Sequence, residues 1–157
     1  MKGKRDPTAR SGQVFSDTLR LTPHASRRPA TVQVAVGLIV QDGRYLIARR
    51  KADVHLGGLW EFPGGKREAE EALEDCLRRE LREELGIEVT QPVFHRVLRH
   101  EYPEKSVELH FFRCSIRAGQ VRALDCQELR WVAPEELGRF EFPAADQALI
   151  EELLAES

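Results

Sequence analysis

Residues 65–87 read GKREAEEALEDCLRRELREELGI, and this stretch determines the central element of the fold. Leucines recur at every fourth residue from Leu73 to Leu85, which is the spacing of one face of an α-helix. Gly86 follows the last leucine, at the position where a helix commonly ends. The sequence therefore predicts an amphipathic helix over residues 70–85.

The second half of this predicted helix carries three carboxylates on one side. Glu80, Glu83 and Glu84 lie at positions i, i+3 and i+4, and they share about a third of the helix circumference. Like charges at this spacing repel one another, and some should protonate unless a cation compensates them. A hard divalent cation with oxygen ligands, Mg²⁺ above all, meets that need. A solvated, charged helix face is the alternative interpretation of the same pattern.

Upstream of the helix, the sequence predicts a β-hairpin and then a long loop. Residues 31–40, TVQVAVGLIV, are apolar and β-branched, Asp42 and Gly43 are typical of a tight turn, and RYLIARR continues as a second strand. We therefore expect a hairpin over residues 32–50. Residues 51–68 contain four glycines and a proline. An irregular stretch of this length inside a compact domain usually carries function.

Downstream of the helix, extended segments are followed by helical ones. Strands, helix, strands and helix with mixed connections indicate an α+β fold, an α/β/α sandwich in which a mixed sheet lies between helices. The predicted downstream segments are strands over residues 87–89, 93–102, 106–117 and 129–132, a helical turn over 134–137 and an amphipathic helix over 146–156.

The composition agrees with one domain in a reducing compartment. A chain of 157 residues suits a single domain with a sizeable core. No apolar run approaches the roughly eighteen residues that cross a bilayer, and no apolar signal segment follows the N-terminus. The three cysteines are odd in number and lack C-x-x-C spacing, which disfavours a disulfide framework or a structural zinc site. We therefore expect a cytoplasmic protein.

The net charge of −2 is unevenly distributed along the chain. Residues 1–30 carry seven basic and two acidic side chains, a balance of +5, and the remainder has a balance of −7. We expect a basic N-terminal extension over residues 1–30 and one folded domain over residues 31–157. The extension also resembles an organelle transit peptide, but a tail that solubilises the protein is the preferred interpretation. Binding of nucleic acid through its positive charge is an independent alternative.

Residues 65–87 resemble the Nudix box, the signature of the Nudix hydrolases. That signature is Gly, five residues, Glu, seven residues, then Arg-Glu-apolar-x-Glu-Glu-x-Gly-apolar. The segments ARRKADVHLGGLWEFPGGK, ELRWV and FPAAD are also similar to the MutT branch of this family, so the resemblance covers about residues 32–155. It implies the Nudix fold, a mixed sheet between helices. All nine specified positions of the box are filled, by Gly65, Glu71, Arg79, Glu80, Leu81, Glu83, Glu84, Gly86 and Ile87.

The resemblance implies an enzyme that hydrolyses a nucleoside triphosphate to the monophosphate and pyrophosphate. Such chemistry depends on positioning and on neutralising phosphate charge, for which Mg²⁺, or Mn²⁺ in its place, is the implied cofactor. By motif position, the implied metal ligands are Glu80, Glu83 and Glu84 together with the backbone carbonyl of Gly64. Arg79 is implied to hold these catalytic carboxylates in place.

Two further acidic positions follow from the resemblance. Glu71 is the implied structural partner of Arg79. A further acidic ligand or base in this branch comes from the loop before the ELRWV strand, where Asp125 occupies the matching position as metal ligand and catalytic residue. Its side chain is one methylene shorter than the usual glutamate, so Glu128 stays open as the substitute.

The matching segments also suggest substrate contacts. Arg50 and Lys66 are the preferred phosphate-binding residues, and Leu59 and Phe62 are expected to line an apolar slot for the base. Asp146 is expected to contact the base edge. Members of the branch that act on oxidised guanine typically have Asn at that position, whereas members with Asp resemble cytidine-nucleotide pyrophosphatases. An amide both donates and accepts hydrogen bonds, but an ionised carboxylate only accepts.

The resemblance therefore leaves three functions to compare. The first is an 8-oxo-dGTP diphosphatase that clears the nucleotide pool and so avoids mutation. The second is a pyrophosphatase for CTP, dCTP or a modified pyrimidine nucleotide. The third is a non-catalytic Nudix-like recognition module, but such modules typically lack the acidic helix that this chain retains. The implied partner is a small nucleotide, with no membrane and no obligate protein partner.

Overall fold

The computed structural model describes residues 30–157. Thr31–Glu101 and Ser106–Ser157 form one compact unit. In the turn that separates these two ranges along the chain, the Tyr102 amide N–H donates to the Lys105 carbonyl at 2.8 Å. The basic extension and its nucleic-acid interpretation fall on residues 1–29, outside the described residues, whereas Ala30 already belongs to the first strand.

Nine strands and two α-helices follow one another in the described part of the chain. Their order, strands, helix, strands and helix, confirms the predicted α+β class. In chain order they are β1 (Ala30–Gln41), β2 (Arg44–Arg49), β3 (Trp60–Glu61), β4 (Gly64–Lys66), α1 (Leu73–Leu85), β5 (Glu88–Val89), β6 (Val93–Glu101), β7 (Lys105–Cys114), β8 (Ile116–Ala118), β9 (Glu128–Val132) and α2 (Gln147–Glu156).

The predicted hairpin at the start of the domain is confirmed. Strands β1 and β2 pair antiparallel with Gln41 opposite Arg44, so that only two residues form the turn. Both turn residues have positive φ, 51° at Asp42 and 74° at Gly43. This conformation matches the twist of the flanking strands and explains the Asp-Gly pair at this point.

The main sheet of the described residues has the strand order β9-β2-β1-β7-β6, so β6 is an outer strand. Strand β1 is long enough to pair with β2 at its end and with β4 near its middle, where Val36 lies opposite Gly64. Strand β3 pairs with β2. The prediction of an irregular loop over residues 51–68 is therefore wrong for its second half. These strands span only two and three residues, too few for the alternating pattern that identifies a strand in sequence.

The two faces of the sheet are both covered. Side chains on one face, including Ala35 and Ile39 of β1, join Leu77 and Leu81 of α1 in a single apolar core. Alternation along a strand turns the fully buried Leu38 to the opposite face. Helix α2 lies on that second face and buries Leu149, Ile150 and Leu153. The sheet thus lies between helices, as predicted.

Helix α1 ends where the sequence predicts but begins three residues later. Gly86 adopts φ 72°, and its N–H donates to the Arg82 carbonyl at 3.0 Å, which closes the helix in the way that glycine favours. At the other end, Glu70 has φ 63° and Ala72 is extended, so neither can be helical. The Glu71 carboxylate accepts a hydrogen bond from the Glu68 amide instead, at 3.0 Å. Residues 68–72 thus form a turn that leads into the helix at Leu73.

The other boundaries differ slightly from the predicted ones. The segment predicted as one strand over residues 106–117 forms two strands, β7 and β8. The strand is interrupted at Ser115, whose N–H donates to the Thr90 side chain at 3.0 Å. Residues Pro134–Arg139 form a 3₁₀-helix, and a second 3₁₀ turn, Ala144–Asp146, precedes α2. The β6–β7 register shifts between Phe94 and Arg96, which places a β-bulge at His95.

The chemistry of the cysteines and of the apolar segments agrees with the sequence analysis. Cys76, Cys114 and Cys126 are all free thiols, and the first two are buried. Burial raises the pKa of the Cys76 thiol to about 11 and that of Cys114 to about 12, so neither is a reactive thiolate at neutral pH. Of the helices in residues 30–157, none has the length and apolar character that a bilayer crossing requires.

Candidate active site

Strand β4 approaches helix α1 so closely that only glycine fits. A Cβ on Gly65 would overlap the carboxylate of Glu80, and a Cβ on Gly64 would overlap the carbonyl oxygen of Ala35. The two glycines therefore let β4 lie between β1 and the acidic end of α1. The backbone next to the Glu80 carboxylate is the segment whose Gly64 carbonyl the resemblance implies as a metal ligand.

Arg79 is the hub that orients the acidic side chains of this helix. Its guanidinium binds both oxygens of Glu71, with Nε at 2.7 Å and Nη2 at 3.0 Å. Its Nη1 lies 2.8 Å from Glu80 Oε2 and 3.6 Å from Glu83 Oε1. Nη2 also donates to the Lys66 carbonyl at 3.2 Å, which ties β4 to the helix. One arginine thus fixes the relative positions of three carboxylates and the glycine strand.

The interaction between Arg79 and Glu71 keeps both groups charged. The Arg79 hydrogen bonds, helped by the Glu68 amide, lower the pKa of Glu71 to about 2. The same hydrogen bonds raise the pKa of Arg79 above its ordinary value. This pair is present over the whole neutral range, and its geometry does not depend on a bound ligand.

Glu84 is electrostatically unlike its neighbours on the helix. Burial raises its pKa well above the ordinary range, and the charges of Glu61 and Glu80 raise it further. The charge of Asp125 acts on the Glu84 carboxyl in the same direction. Glu83, with 61% of its side chain exposed, reaches towards solvent from the same end of the helix.

Glu61 belongs to this group, and the sequence analysis missed it. It lies in β3, where burial raises the pKa of its carboxyl although the nearby Arg50 lowers it. Its charge also raises the pKa of both Glu84 and Asp146. A charged residue between two buried aromatic ones, Trp60 and Phe62, was the signal in the sequence.

The acidic residues at this end of the molecule form what we call the carboxylate cluster. The donor set consists of oxygen atoms alone, and the charges of Glu61, Glu80 and Asp125 raise the pKa of Glu84. In this conformation no three of its ligand atoms lie within 4.8 Å of one another. Arg79, Arg50 and Lys51 do not neutralise all five acids, so a hard divalent cation suits the set. The members are Glu61, Glu80, Glu83, Glu84 and Asp125.

Asp125 and Glu128 differ in how they face the cluster. The charge of Asp125 contributes to the raised pKa values of Glu61 and Glu84, although 65% of its side chain is exposed. Glu128 is neutralised on both sides, by Arg49 at 3.8 Å and by Arg130 at 2.9 Å. Asp125 is itself paired with Lys51 at 3.3 Å, so the choice between Asp125 and Glu128 as the additional acidic residue stays a prediction.

The two predicted phosphate contacts are placed differently. Arg50 lies at the cluster, where its Nη1 binds Glu61 Oε1 at 2.9 Å and its Nε donates to the His55 carbonyl at 2.8 Å. Lys66 is exposed at the end of β4, beside Gly65, and within residues 30–157 its ammonium forms no ion pair. Arg50 is thus held in place, whereas the Lys66 side chain can move.

The side chains predicted to surround the base, Phe62 and Asp146, are both buried, and Phe62 is only 3% exposed. Phe62 stacks on Phe142 with ring centroids 5.3 Å apart, and its edge meets Tyr45 at 6.2 Å. Asp146 is 7% exposed, and no described side chain hydrogen-bonds its carboxyl. Burial, with a further contribution from the charge of Glu61, raises the pKa of Asp146 to about 7. Leu59 is half-buried in the preceding loop, where its carbonyl accepts a hydrogen bond from the Arg50 amide at 2.9 Å.

A separate groove of about 510 Å³ lies on the α1 side of the sheet, opposite to the side on which Phe62 lies. Gln33 and Phe112 line it, and they point to the same side as α1. Phe62 contacts Tyr45 on the opposite side. None of the predicted substrate-binding residues lines this groove, and the exposed Phe94 forms one of its walls.

A second set of ligand-type side chains lies on the α2 side of the sheet, and we call it the helix-anchoring cluster. His95, Glu152 and Glu156 offer atoms within 4.8 Å of one another. Arg96 lies 2.8 Å from Glu152, and Arg113 lies 3.4 Å from Glu156. Two guanidinium groups already neutralise the two carboxylates and would repel a divalent cation. These five residues therefore tie α2 to β6 and β7.

Comparison with known proteins identifies relatives over most of the chain. Residues 35–152 match the family model described as the NUDIX domain. The CTP pyrophosphohydrolase of Escherichia coli (strain K12) is 37% identical over 124 residues, covering 79% of this chain and 92% of that protein. The 8-oxo-dGTP diphosphatase of Proteus vulgaris is 43% identical over 82 residues, covering 52% of this chain and 73% of that protein. The crystal structure of the MutT protein from Methanosarcina mazei Go1 superimposes with a TM-score of 0.73 at 27% identity, covering 83% of this chain and 98% of that one.

Proposed function

The chain belongs to the Nudix family, in its MutT-like branch, and is a nucleotide pyrophosphohydrolase; from this premise we propose that its substrate is 8-oxo-dGTP. The products are then 8-oxo-dGMP and pyrophosphate, so that the oxidised nucleotide leaves the pool before it is incorporated into DNA. The relatives carry names of both purine and pyrimidine activities, and the base preference therefore rests on the residues of this chain.

We propose that the carboxylate cluster holds Mg²⁺, with Mn²⁺ able to replace it. The ligands are Glu80, Glu83 and Glu84 on the helix, with Asp125 and the Gly64 carbonyl as additional oxygen donors. A bound cation would favour the ionised form of Glu84, whose pKa burial and the neighbouring carboxylates raise in its absence. The bound ion supplies neutralisation of phosphate charge and acidifies the attacking water.

The residues around the cluster position the substrate for this reaction. Arg79 holds Glu80 and Glu83 in a fixed orientation, and Glu71 in turn fixes Arg79. Arg50, anchored by Glu61, presents its remaining N–H groups to the triphosphate, and the mobile ammonium of Lys66 binds the distal phosphates. These cations neutralise an anion that the acidic cluster alone would repel.

The observation that carries the base assignment is the buried carboxyl of Asp146. With a pKa of about 7 and no hydrogen-bond partner among the described side chains, a large fraction of it is protonated at neutral pH. A protonated carboxyl offers one donor and one acceptor. The 8-oxoguanine edge offers an acceptor, O6, beside a donor, N7–H, whereas guanine offers acceptors at both positions. Asp146 in its neutral form thus supplies what the asparagine of related enzymes supplies, and Phe62 and Leu59 line the slot.

The same residue supports a second candidate, a pyrophosphatase for CTP, dCTP or a modified form of either. An ionised Asp146 only accepts hydrogen bonds, and the cytosine N4 amino group is a donor that a carboxylate recognises. The full-length similarity to a CTP pyrophosphohydrolase also favours this alternative. The free thiols of the chain fit a reducing, cytoplasmic setting for either substrate.

A substrate panel measured at two pH values tests these assignments. Pyrophosphate release from 8-oxo-dGTP, dGTP, CTP and 5-methyl-dCTP is followed with Mg²⁺ at pH 6 and pH 8.5. We expect the ratio of kcat/KM for 8-oxo-dGTP over CTP to fall by about tenfold at the higher pH, which is the value of one good base contact. Effects of pH on the metal ligands act on both substrates and cancel in the ratio.

Two variants serve as controls for this panel. Asp146→Asn should remove the pH dependence of the ratio, because an amide does not ionise there. Glu83→Gln should abolish turnover of every nucleotide, whereas Glu74→Gln, in the first turn of the same helix, should leave it unchanged. A higher kcat/KM for CTP at both pH values would exclude 8-oxo-dGTP as the main substrate. Undiminished turnover by Glu83→Gln would exclude the metal assignment.

A further inference from the structure

The cations around the carboxylate cluster differ in how firmly they are held. Arg79 binds Glu71 and Glu80 through several hydrogen bonds, and Arg50 is fixed between Glu61 and a backbone carbonyl. Lys51 is unlike both. Its Nζ lies 3.3 Å from Asp125 Oδ1, half of its side chain is exposed, and within residues 30–157 this is its one ion pair.

The backbone of Lys51 is fixed although its side chain is exposed. Its carbonyl packs so closely against Gly57 that a Cβ there would overlap it, and it accepts a hydrogen bond from the Val54 amide at 3.4 Å. The loop is closed at its base because Gly58 N–H donates to the Arg50 carbonyl at 3.0 Å. The ammonium group therefore swings on a four-carbon stem from a fixed point at the edge of the cluster.

The partner of Lys51, Asp125, is one of the two exposed members of the cluster; the other is Glu83. Asp125 contributes charge to the buried carboxyls Glu61 and Glu84, so the ammonium of Lys51 lies where a cation entering the cluster would also lie. Two cations cannot share one carboxylate at low cost. A nucleoside triphosphate that binds at the same edge brings several phosphate oxygens, which are the alternative partner for a displaced ammonium group.

We propose that Lys51 is a phosphate-binding residue that changes partner when substrate binds. In the free protein it pairs with Asp125, and in the complex it pairs with the triphosphate while Asp125 faces the metal. This inference rests on the proposed function, since it requires a triphosphate at the carboxylate cluster. It adds to Arg50 and Lys66 a cation that the loop before β3 supplies.

Lys51→Met tests the exchange because it removes the charge and keeps the stem. The variant should bind Mn²⁺ alone about two- to fivefold more tightly than the parent in calorimetric titration, since the competing ammonium group is gone. It should bind the α,β-methylene analogue of dGTP, in the presence of Mg²⁺, about tenfold more weakly, since one charge-assisted contact is lost. A defect that merely loosened the loop would weaken both.

Lys51→Arg and Arg44→Gln are the matched controls. The first keeps the charge and should retain most of the affinity for the analogue. The second removes an exposed cation at the far end of β2, about 17 Å along the strand from Arg49, and should change neither affinity. Unchanged binding of both ligands by Lys51→Met, or weaker binding of both, would overturn the role of Lys51.

The binding measurements need no turnover and so separate this inference from the proposed function. If the parent protein binds the analogue but releases no pyrophosphate from any nucleotide of the panel, the proposed function is wrong. The role of Lys51 is then still decided by the affinities of Lys51→Met for Mn²⁺ and for the analogue. If the parent protein binds no triphosphate analogue at all, both are overturned.

Discussion

The carboxylate cluster and the helix-anchoring cluster contain similar side chains but differ in charge balance. In the helix-anchoring cluster, two glutamates meet two arginines at 2.8 and 3.4 Å, and His95 completes the set. In the carboxylate cluster, five acids are gathered around two arginines and one lysine, and burial raises the pKa of Glu84. A balanced set holds the fold together without any addition. The carboxylate cluster instead keeps an excess of negative charge in spite of electrostatic repulsion. This excess indicates that a ligand supplies the missing positive charge.

The largest expected effect contrasts one glutamate from each cluster. Glu80→Gln removes a charge that we assign to metal binding, and kcat for pyrophosphate release should fall on the order of 10²–10³-fold, as for loss of other preorganised charge-stabilising groups. Glu152→Gln removes a charge whose partners among residues 30–157 are Arg96 and His95, and kcat should change less than about twofold. Initial rates at saturating Mg²⁺ compare the two. Similar losses in both variants would remove the distinction between the clusters.

The next largest effect concerns Asp146, which directly precedes α2 and has no cationic partner among the described side chains. Glu152 and Glu156 of the helix-anchoring cluster lie further along the same helix. The pKa of Asp146 is about 7 in the folded protein and near 3.8 when unfolded. The folded state therefore binds the proton more tightly, and the free energy of unfolding falls as pH rises from about 4 to 7, by at most about 4 kcal/mol. Asp146→Asn removes this loss but buries an amide without a partner. We expect a net gain of about 1–2 kcal/mol at pH 8.

Denaturant unfolding of both proteins at pH 5 and pH 8 measures this gain. At pH 5 most of the Asp146 carboxyl is still protonated in the folded protein, so the variant should gain less there than at pH 8. Glu151→Gln, an exposed neighbour on the same helix, should change stability by no more than about 0.5 kcal/mol at either pH. An equal gain from Asp146→Asn at both pH values would show that ionisation of Asp146 has no part in it.

The smallest effect concerns the stability that the balanced cluster provides. A hydrogen bond from Arg96 lowers the pKa of Glu152. Stability from a lowered carboxyl pKa is present above the unfolded value of about 4.5 and is lost as pH falls through the folded one. Because the side chain is partly exposed, Glu152→Gln should cost no more than about 1 kcal/mol at pH 7 and nothing below about pH 3. Thermal unfolding at both pH values measures the difference, and a cost that persists at low pH would contradict an ionic origin.

The sequence predicts those parts of the molecule whose determinants are close together along the chain. The leucine spacing and Gly86 predict α1, and the Asp42-Gly43 pair predicts the first hairpin. Strand β4 escapes prediction because its three residues are held by β1 and by the carboxylate of Glu80, contacts that only the fold creates.

The same limit applies to the site. Glu80, Glu83 and Glu84 lie on one helix, so their spacing alone places them on the same side of it. In the sequence Glu61 is only a charged residue between two aromatic ones. Its electrostatic effect on Glu84 and Asp146 becomes visible in the structure. Lys51 and Asp125 meet across 74 positions of sequence, and nothing local to either residue indicates the pair. Residues that act through long-range electrostatics therefore require the structure.

The β-bulge at His95 affects how readily another strand could pair with the edge of the sheet. In a regular strand, neighbouring side chains point to opposite faces, yet His95 and Arg96 both reach Glu152. The bulge that permits this lies on β6, an outer strand with exposed Val93, Phe94 and Val97. A flat apolar edge would be a template for another chain to add a strand, and an irregular, charged one is not. The bulge that lets His95 hold α2 thus also makes this edge, the outer one among the described strands, a poor template for strand addition.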